Sequence, residues 1–191
     1  MKRGRNVNYA EIKKYDVANG PGVRISLFVS GCTHHCKGCF NPETWDFKYG
    51  KPYTEETEEE ILSFLEIPYI AGLTLLGGEP LEREHQRALL PLLRRAKERF
   101  PDKKIWCFTG YLYDRDVTGT MCREWEETEE FLSYLDILVD GEFEEEKKDL
   151  TLRFKGSSNQ RTIMVPESRE KGRIVLWNPE TGSAMEEENE D

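Results

Sequence analysis

The sequence contains no apolar run approaching the roughly 20 residues that cross a bilayer as a helix. It has no basic surplus either: 27 Lys and Arg stand against 37 Asp and Glu, a net charge of −10. That balance argues against a nucleic-acid groove. Met1-Lys2-Arg3-Gly4-Arg5 is basic, but Asn6 and Asn8 follow where a secretory signal would turn apolar. No export signal and a cytoplasmic location are therefore expected. Cysteine is scarce and not arranged in pairs: three of the five crowd one loop, and Cys107 and Cys122 stand alone. This is not the pattern of a disulfide framework. The length of 191 residues fits one domain with a real core.

The most informative absence is a fourth cysteine beside the other three. Cys32-x-x-x-Cys36-x-x-Cys39 puts three sulfurs on one compact turn. Three thiolates can hold three irons of a four-iron cube and leave the fourth iron open, whereas an electron-transfer cluster usually has four cysteine ligands. An open iron can bind a substrate. Zinc is the alternative, but a structural zinc closes four ligands, commonly as two separated pairs, and no second pair is present. His34 and His35 lie inside the loop, where ligation would be cramped, and are read as loop residues. Cys107 lies in the apolar run Ile105-Trp106-Cys107-Phe108 and reads as a small buried hydrophobe.

Alternation of Val23, Ile25, Leu27 and Val29 with Arg24, Ser26, Phe28 and Ser30 predicts a strand over 22–30, and the cysteine loop follows it directly. Arg24, on the outward phase, is a candidate buried partner for a carboxylate. Thr54 is a helix N-cap with acids in the following turn. Leu73 to Leu76 predicts a second strand, ending at Gly77-Gly78-Glu79-Pro80. Leu89, Leu93, Ala96 and Phe100 mark a helix, with Pro91 in its first turn or at a kink. Ile105–Phe108 is a third strand, and Trp125, Thr128, Leu132 and Leu135 mark a third helix. Ile137–Val139 is a fourth strand, closed by Asp140-Gly141. Further strands are expected over 163–165 and 174–177. Residues 144–160 read as a surface excursion. The domain is placed at 1–178, with an acidic, disordered tail over 179–191.

Strand–helix–strand alternation predicts an α/β domain with a mostly parallel sheet, whose sites gather at the carboxyl ends of the strands. The cysteine loop, Gly77-Gly78-Glu79, Thr109-Gly110 and Asp140-Gly141 would then rim one end. The two glycines of the second segment allow close approach to the backbone, and Glu79 adds an acceptor for an ammonium group. Asp140-Gly141 reads equally as a ligand contact or as a strand end. Asn159 and Gln160 read as contacts to a ligand or partner, or as residues that order a loop.

The cysteine spacing with a downstream Gly-Gly-Glu turn resembles the radical S-adenosylmethionine superfamily. Asn19-Gly20-Pro21-Gly22-Val23-Arg24 resembles the activases of glycyl-radical enzymes. So do Gly38-Cys39-Phe40-Asn41-Pro42 with Trp45, Leu76 to Leu81, and Val139-Asp140-Gly141 with Phe143. Gly156-Ser157-Ser158-Asn159-Gln160 points to the branch that serves anaerobic ribonucleotide reductase. Many superfamily members carry an aromatic residue just before the third cysteine. Here that position is Gly38, and Phe40 is the candidate to take over the adenine contact.

The resemblance implies a 4Fe–4S cluster on Cys32, Cys36 and Cys39, with S-adenosyl-L-methionine on the open iron. Gly77, Gly78 and Glu79 would hold its methionine end and Gly38, Cys39 and Phe40 its adenosyl end, with Asn41, Asp140 and Asn159 as further contacts. Reductive cleavage would yield a 5′-deoxyadenosyl radical that abstracts hydrogen from a glycine of the reductase catalytic subunit. The electron would come from a low-potential donor of flavodoxin or ferredoxin type. A complete eight-fold barrel needs about 250 residues. The resemblance therefore implies a partial, open β/α barrel of five to six mostly parallel strands. The alternatives are an activase of a formate-lyase type enzyme and a non-catalytic zinc-binding module.

Overall fold

The computed structural model describes residues 7–185. The basic residues Lys2, Arg3 and Arg5 and the acidic run 186–191 lie outside the described residues. The described residues form one open sheet of seven strands in the order β3-β1-β2-β4-β5-β6-β7. Its centre is the parallel set β2 (Val23–Ser30), β4 (Ile70–Gly77), β5 (Lys104–Phe108) and β6 (Ile137–Asp140). Antiparallel strands flank it: β1 (Asn8–Asp16) with the short β3 (Lys51–Pro52) on one side, and β7 (Arg161–Met164) on the other. The sheet does not close on itself, so the architecture is a partial, open β/α barrel. Among the described residues, no helix is long and apolar enough to cross a membrane.

Inward-facing residues build one main core. Ile25, Leu27, Leu73, Leu75, Ile105 and Leu138 from the central strands meet three helices: α1 (Glu55–Leu65), α2 (Arg83–Arg99) and α4 (Glu126–Tyr134). Each fully buried aliphatic side chain of this kind contributes about 1.5–3 kcal/mol. Cys107 is fully buried in this core. The opposite sheet face carries a smaller cluster, Trp106, Ile137, Val139 and Trp177.

Thr54 caps α1 as expected, accepting from Thr57 N, while Thr57 Oγ1 accepts in return from Thr54 N. Three expectations need correction. The sheet has seven strands, not five or six, because the polar pattern of β1 and the two-residue length of β3 hide both. Pro91 lies inside α2, which begins eight residues earlier, at Arg83. The segment 174–177 makes only isolated bridges, Ile163 with Leu176 and Trp177 with Ala184.

Residues 179–185, expected as the start of the tail, form a turn. Asn178 Oδ1 accepts from Glu180 N at 2.8 Å, and Trp177 packs on Trp106 at 5.1 Å between ring centroids. Between β5 and α4, residues Tyr113–Met121 form a π-helix that runs into α3 (Cys122–Glu124).

Arg24 is buried, but its partners are not carboxylates. Nε donates to Thr74 Oγ1 at 2.7 Å, and Nη2 donates to the carbonyls of Leu73 at 2.8 Å and Lys104 at 2.7 Å. It thereby ties together the amino ends of β2, β4 and β5. Burial pushes its pKa down to about 10, against the fields of Asp136 and Asp16.

Asp136, just before β6, joins α2 to the sheet. It accepts from Lys97 Nζ at 2.7 Å, Ile105 N at 2.8 Å and Lys104 Nζ at 2.9 Å. Burial opposes its charge, but these donors outweigh burial and hold the carboxyl below its ordinary pKa. A depressed native pKa adds stability above the unfolded value, and that stability is lost as pH falls through the native one. Asp136→Ala is therefore expected to cost about 1.5–3 kcal/mol at neutral pH. Urea denaturation checks it, and the gap to the parent should shrink below about pH 4.

Candidate functional site

All four parallel strands end at one rim, and their loops are bonded to one another there. Gly78 N donates to Val29 O at 2.7 Å, Glu79 N to Gly31 O at 2.8 Å, and Thr109 N to Val139 O at 2.9 Å. The approach is so close that a Cβ on Gly78 would sit 2.4 Å from the Gly31 carbonyl oxygen. The cysteine loop leaves β2 at this rim. Its start is clipped to the 3-10 turn Pro42–Trp45 by Gly31 N to Thr44 O at 2.8 Å and Cys32 N to Trp45 O at 3.2 Å. Cys39 N donates to Cys36 O at 3.1 Å, which holds these two cysteines on one tight turn.

Cys32 is buried, and Cys36 and Cys39 are partly exposed. Burial pushes the Cys32 thiol up to about 11 and raises Cys36 as well. Free, these two thiols keep their protons at neutral pH, so metal binding must displace them. Among the described residues, no three His, Cys, Asp or Glu side chains are gathered as tightly as a single ion requires.

The donor set fits an iron–sulfur cluster: three soft thiol ligands on one loop. Four buried polar atoms around this rim have no hydrogen-bond partner among the described residues: Ser30 Oγ, His34 Nε2, Trp45 Nε1 and Asn159 Oδ1. Beside the loop lies an open cavity of about 500 Å3, lined by Cys32, Thr33, His35, Trp45, Phe47 and Lys48. A cavity of about 560 Å3 at the amino ends of the strands, near Arg24, Trp106 and Trp177, has no thiol in its wall. The cysteine rim is therefore the candidate site.

Glu79 is 1% exposed, and its carboxylate is held from several sides. Oε1 accepts from Leu81 N and Thr109 Oγ1, and Oε2 from Gly110 N, each at 2.8 Å. His34 Nε2 lies 3.0 Å from Oε2, off good hydrogen-bond geometry. The Glu79 side chain thus ties the rim together. His34 Nδ1 also meets Glu142 Oε1 at 2.8 Å. Burial opposes its charge, but Glu79 and Glu142 prevail and push the imidazole up to about 9.

The remaining expected residues occupy varied positions. Gly38 sits in the cysteine loop with φ +72°. Phe40 is 91% exposed, a free aromatic face beside Cys39. The Asn41 carbonyl accepts from Thr44 N at 3.0 Å and Thr44 Oγ1 at 2.7 Å. Asp140 is fully buried and used internally: Arg161 Nε reaches Oδ1 at 2.9 Å, and Tyr113 N reaches Oδ2 at 2.8 Å. Gln160 orders its loop, with Oε1 accepting from Gly156 N and Nε2 donating to Gly141 O. Asn159 Nδ2 donates to Glu142 O at 2.8 Å.

Sequence reasoning missed the histidines. His34 was read as a loop residue, yet it bridges two carboxylates. His85 is fully buried, with Nδ1 2.6 Å from Glu79 O and Nε2 2.9 Å from Ser30 O, so it pins the turn to the end of β2. The available signal was its spacing, since His85 lies on the buried stripe of Leu89, Leu92 and Ala96.

Comparison with known proteins gives this geometry a family. The model of the 4Fe-4S single cluster domain matches residues 18–163. The anaerobic ribonucleoside-triphosphate reductase-activating protein of Pasteurella multocida (strain Pm70) is 42% identical over 156 residues, covering 81% of this chain and 95% of its own. That of Vibrio cholerae is also 42% identical, covering 81% and 96%. That of Escherichia coli (strain K12) is 38% identical with the same coverage. The chain belongs to the 4Fe–4S single-cluster family and, within it, groups with the anaerobic ribonucleoside-triphosphate reductase-activating proteins.

Proposed function

We propose that this protein activates the catalytic subunit of an anaerobic ribonucleoside-triphosphate reductase by radical S-adenosylmethionine chemistry. The observation that carries the reading is the position of Cys32, Cys36 and Cys39 beside the Gly77-Gly78-Glu79 turn, at the carboxyl rim of a parallel sheet. When bound, a 4Fe–4S cluster with one open iron supplies the electron and the Lewis acid for reductive cleavage of S-adenosylmethionine, and the resulting radical takes hydrogen from a partner glycine.

The chain's own residues bind and orient. The three cysteines hold the cluster. Backbone groups of Gly77 and Gly78 seat the methionine amino end, while Glu79 keeps that turn rigid. Gly38 and Phe40 receive the adenosyl end, with the exposed Phe40 ring as a stacking face. Asn159 Oδ1, buried and unpartnered, is an acceptor for the same ligand. The open sheet leaves a side for a large protein substrate, and a flavodoxin- or ferredoxin-type protein delivers the electron.

Anaerobic reconstitution with iron and sulfide should give brown protein. With a reductant it should make 5′-deoxyadenosine from S-adenosylmethionine and raise a glycyl-radical EPR signal in the reductase. Cys36→Ala should lose the product while keeping its thermal melt. Colourless protein carrying only zinc, with no cleavage, overturns the reading. Glu79→Gln should also weaken S-adenosylmethionine binding and cost about 1–3 kcal/mol, because its amide would turn an N–H toward other donors. Calorimetric titration and thermal denaturation measure the two effects.

A further inference from the structure

His34 stands between the first two cysteines, yet its ring is fixed from outside the loop. Nδ1 lies 2.8 Å from Glu142 Oε1 and Nε2 lies 3.0 Å from Glu79 Oε2. The ring packs edge-on against Tyr111 at 4.4 Å between centroids. On another side it abuts Gly110, where a Cβ would come within 2.7 Å of it. Only 10% of the side chain is exposed. These contacts come from the segments that follow β4, β5 and β6. The loop has other ties to these segments, since Thr33 bonds to Glu82 after β4 and Lys37 pairs with Glu145 after β6, but both are exposed, and His35 packs at a tilt on Trp45.

We propose that His34 is a positioning residue. It locks the cysteine loop against the Gly77-Gly78-Glu79 turn and so sets the spacing between the open iron and the seat of the methionine amino end. The proposal rests on the function proposed above. An imidazole suits the task because its two nitrogens face opposite ways: Nδ1 hydrogen-bonds to Glu142, and Nε2 lies against Glu79 at ion-pair distance. Neither amide side chain can do both. Asparagine carries its amide nitrogen near the position of Nδ1, and glutamine carries its own near Nε2. Groups that orient metal ligands from outside the coordination sphere typically change affinity or activity 10–100-fold when removed.

The experiment uses the full chain, reconstituted and reduced anaerobically. S-adenosylmethionine is titrated while the EPR spectrum of the reduced cluster is followed, in the parent and in His34→Ala, His34→Asn and His34→Gln. Iron content and thermal melts accompany each titration. The expected result is parent-like iron content throughout, with Kd raised about 10-fold or more in the Ala and Asn variants. The Gln variant, which keeps the contact to Glu79, should recover most of that loss. If His34→Ala fails to assemble a cluster, the contrast between Asn and Gln decides alone. Equal Kd in the parent and all variants, or a Gln variant no better than Asn, overturns the role of His34. A parent whose spectrum ignores S-adenosylmethionine overturns the proposed function itself, and the two failures are thereby distinguished.

Discussion

The rim of this protein depends on one buried carboxylate. Glu79 receives Leu81 N at the approach to α2, and Thr109 Oγ1 and Gly110 N beyond β5, while the His34 ring from the cysteine loop lies against its second oxygen. An acceptor with two oxygens is suited to such a convergence, because each oxygen takes more than one donor. Burial then makes the arrangement rigid, since leaving any of these groups unpaired away from water would cost about 1–3 kcal/mol. His85 completes the brace from below by bonding to the Glu79 and Ser30 carbonyls. The Gly77-Gly78 backbone therefore presents its polar groups on a fixed frame, while the cysteine loop is anchored to that same frame.

Much of this was legible in the sequence. The central strands follow from alternation and apolar runs, and Thr54 announced α1 by its chemistry. The strand–helix alternation placed the cysteine loop and the Gly-Gly-Glu turn at the carboxyl ends of the strands, where both lie. What was hidden has physical reasons. β1 has Glu11, Lys13 and Tyr15 turned to solvent, so its pattern resembles a loop. The internal partners of Glu79 were hidden because a glutamate in a turn looks exposed until the strands converge upon it. Arg24 was expected to find an acid, yet it satisfies itself on backbone carbonyls, whose positions depend on the sheet and not on nearby sequence. The Asn19 to Gly22 segment, one of those that carry the family resemblance, is not part of the cysteine rim. It lies at the opposite end of the sheet, where the Asn19 carbonyl accepts from Thr74 Oγ1.

The segment after β7 extends past residue 163, where the family match ends. Its role can be described in terms of packing. α5 (Val165–Lys171) turns the chain, Met164 N donates to Val175 O, and Trp177 N donates to Thr162 O. This covers part of the outer side of β7, a strand edge that would otherwise invite pairing with another chain. Trp177 meanwhile joins Trp106 and Phe154 on the sheet face away from the helices. The extension thus finishes the amino end of an open sheet and leaves the cysteine rim untouched.

The central claim is that the iron without a protein ligand is where the methionine end of S-adenosylmethionine binds. Electron–nuclear double resonance on the reduced protein tests it most directly, using S-adenosylmethionine labelled with nitrogen-15 at the methionine amino group. The account predicts a nitrogen coupling to the cluster that changes with the isotope. An intact, reduced cluster with S-adenosylmethionine bound and no such coupling would contradict it.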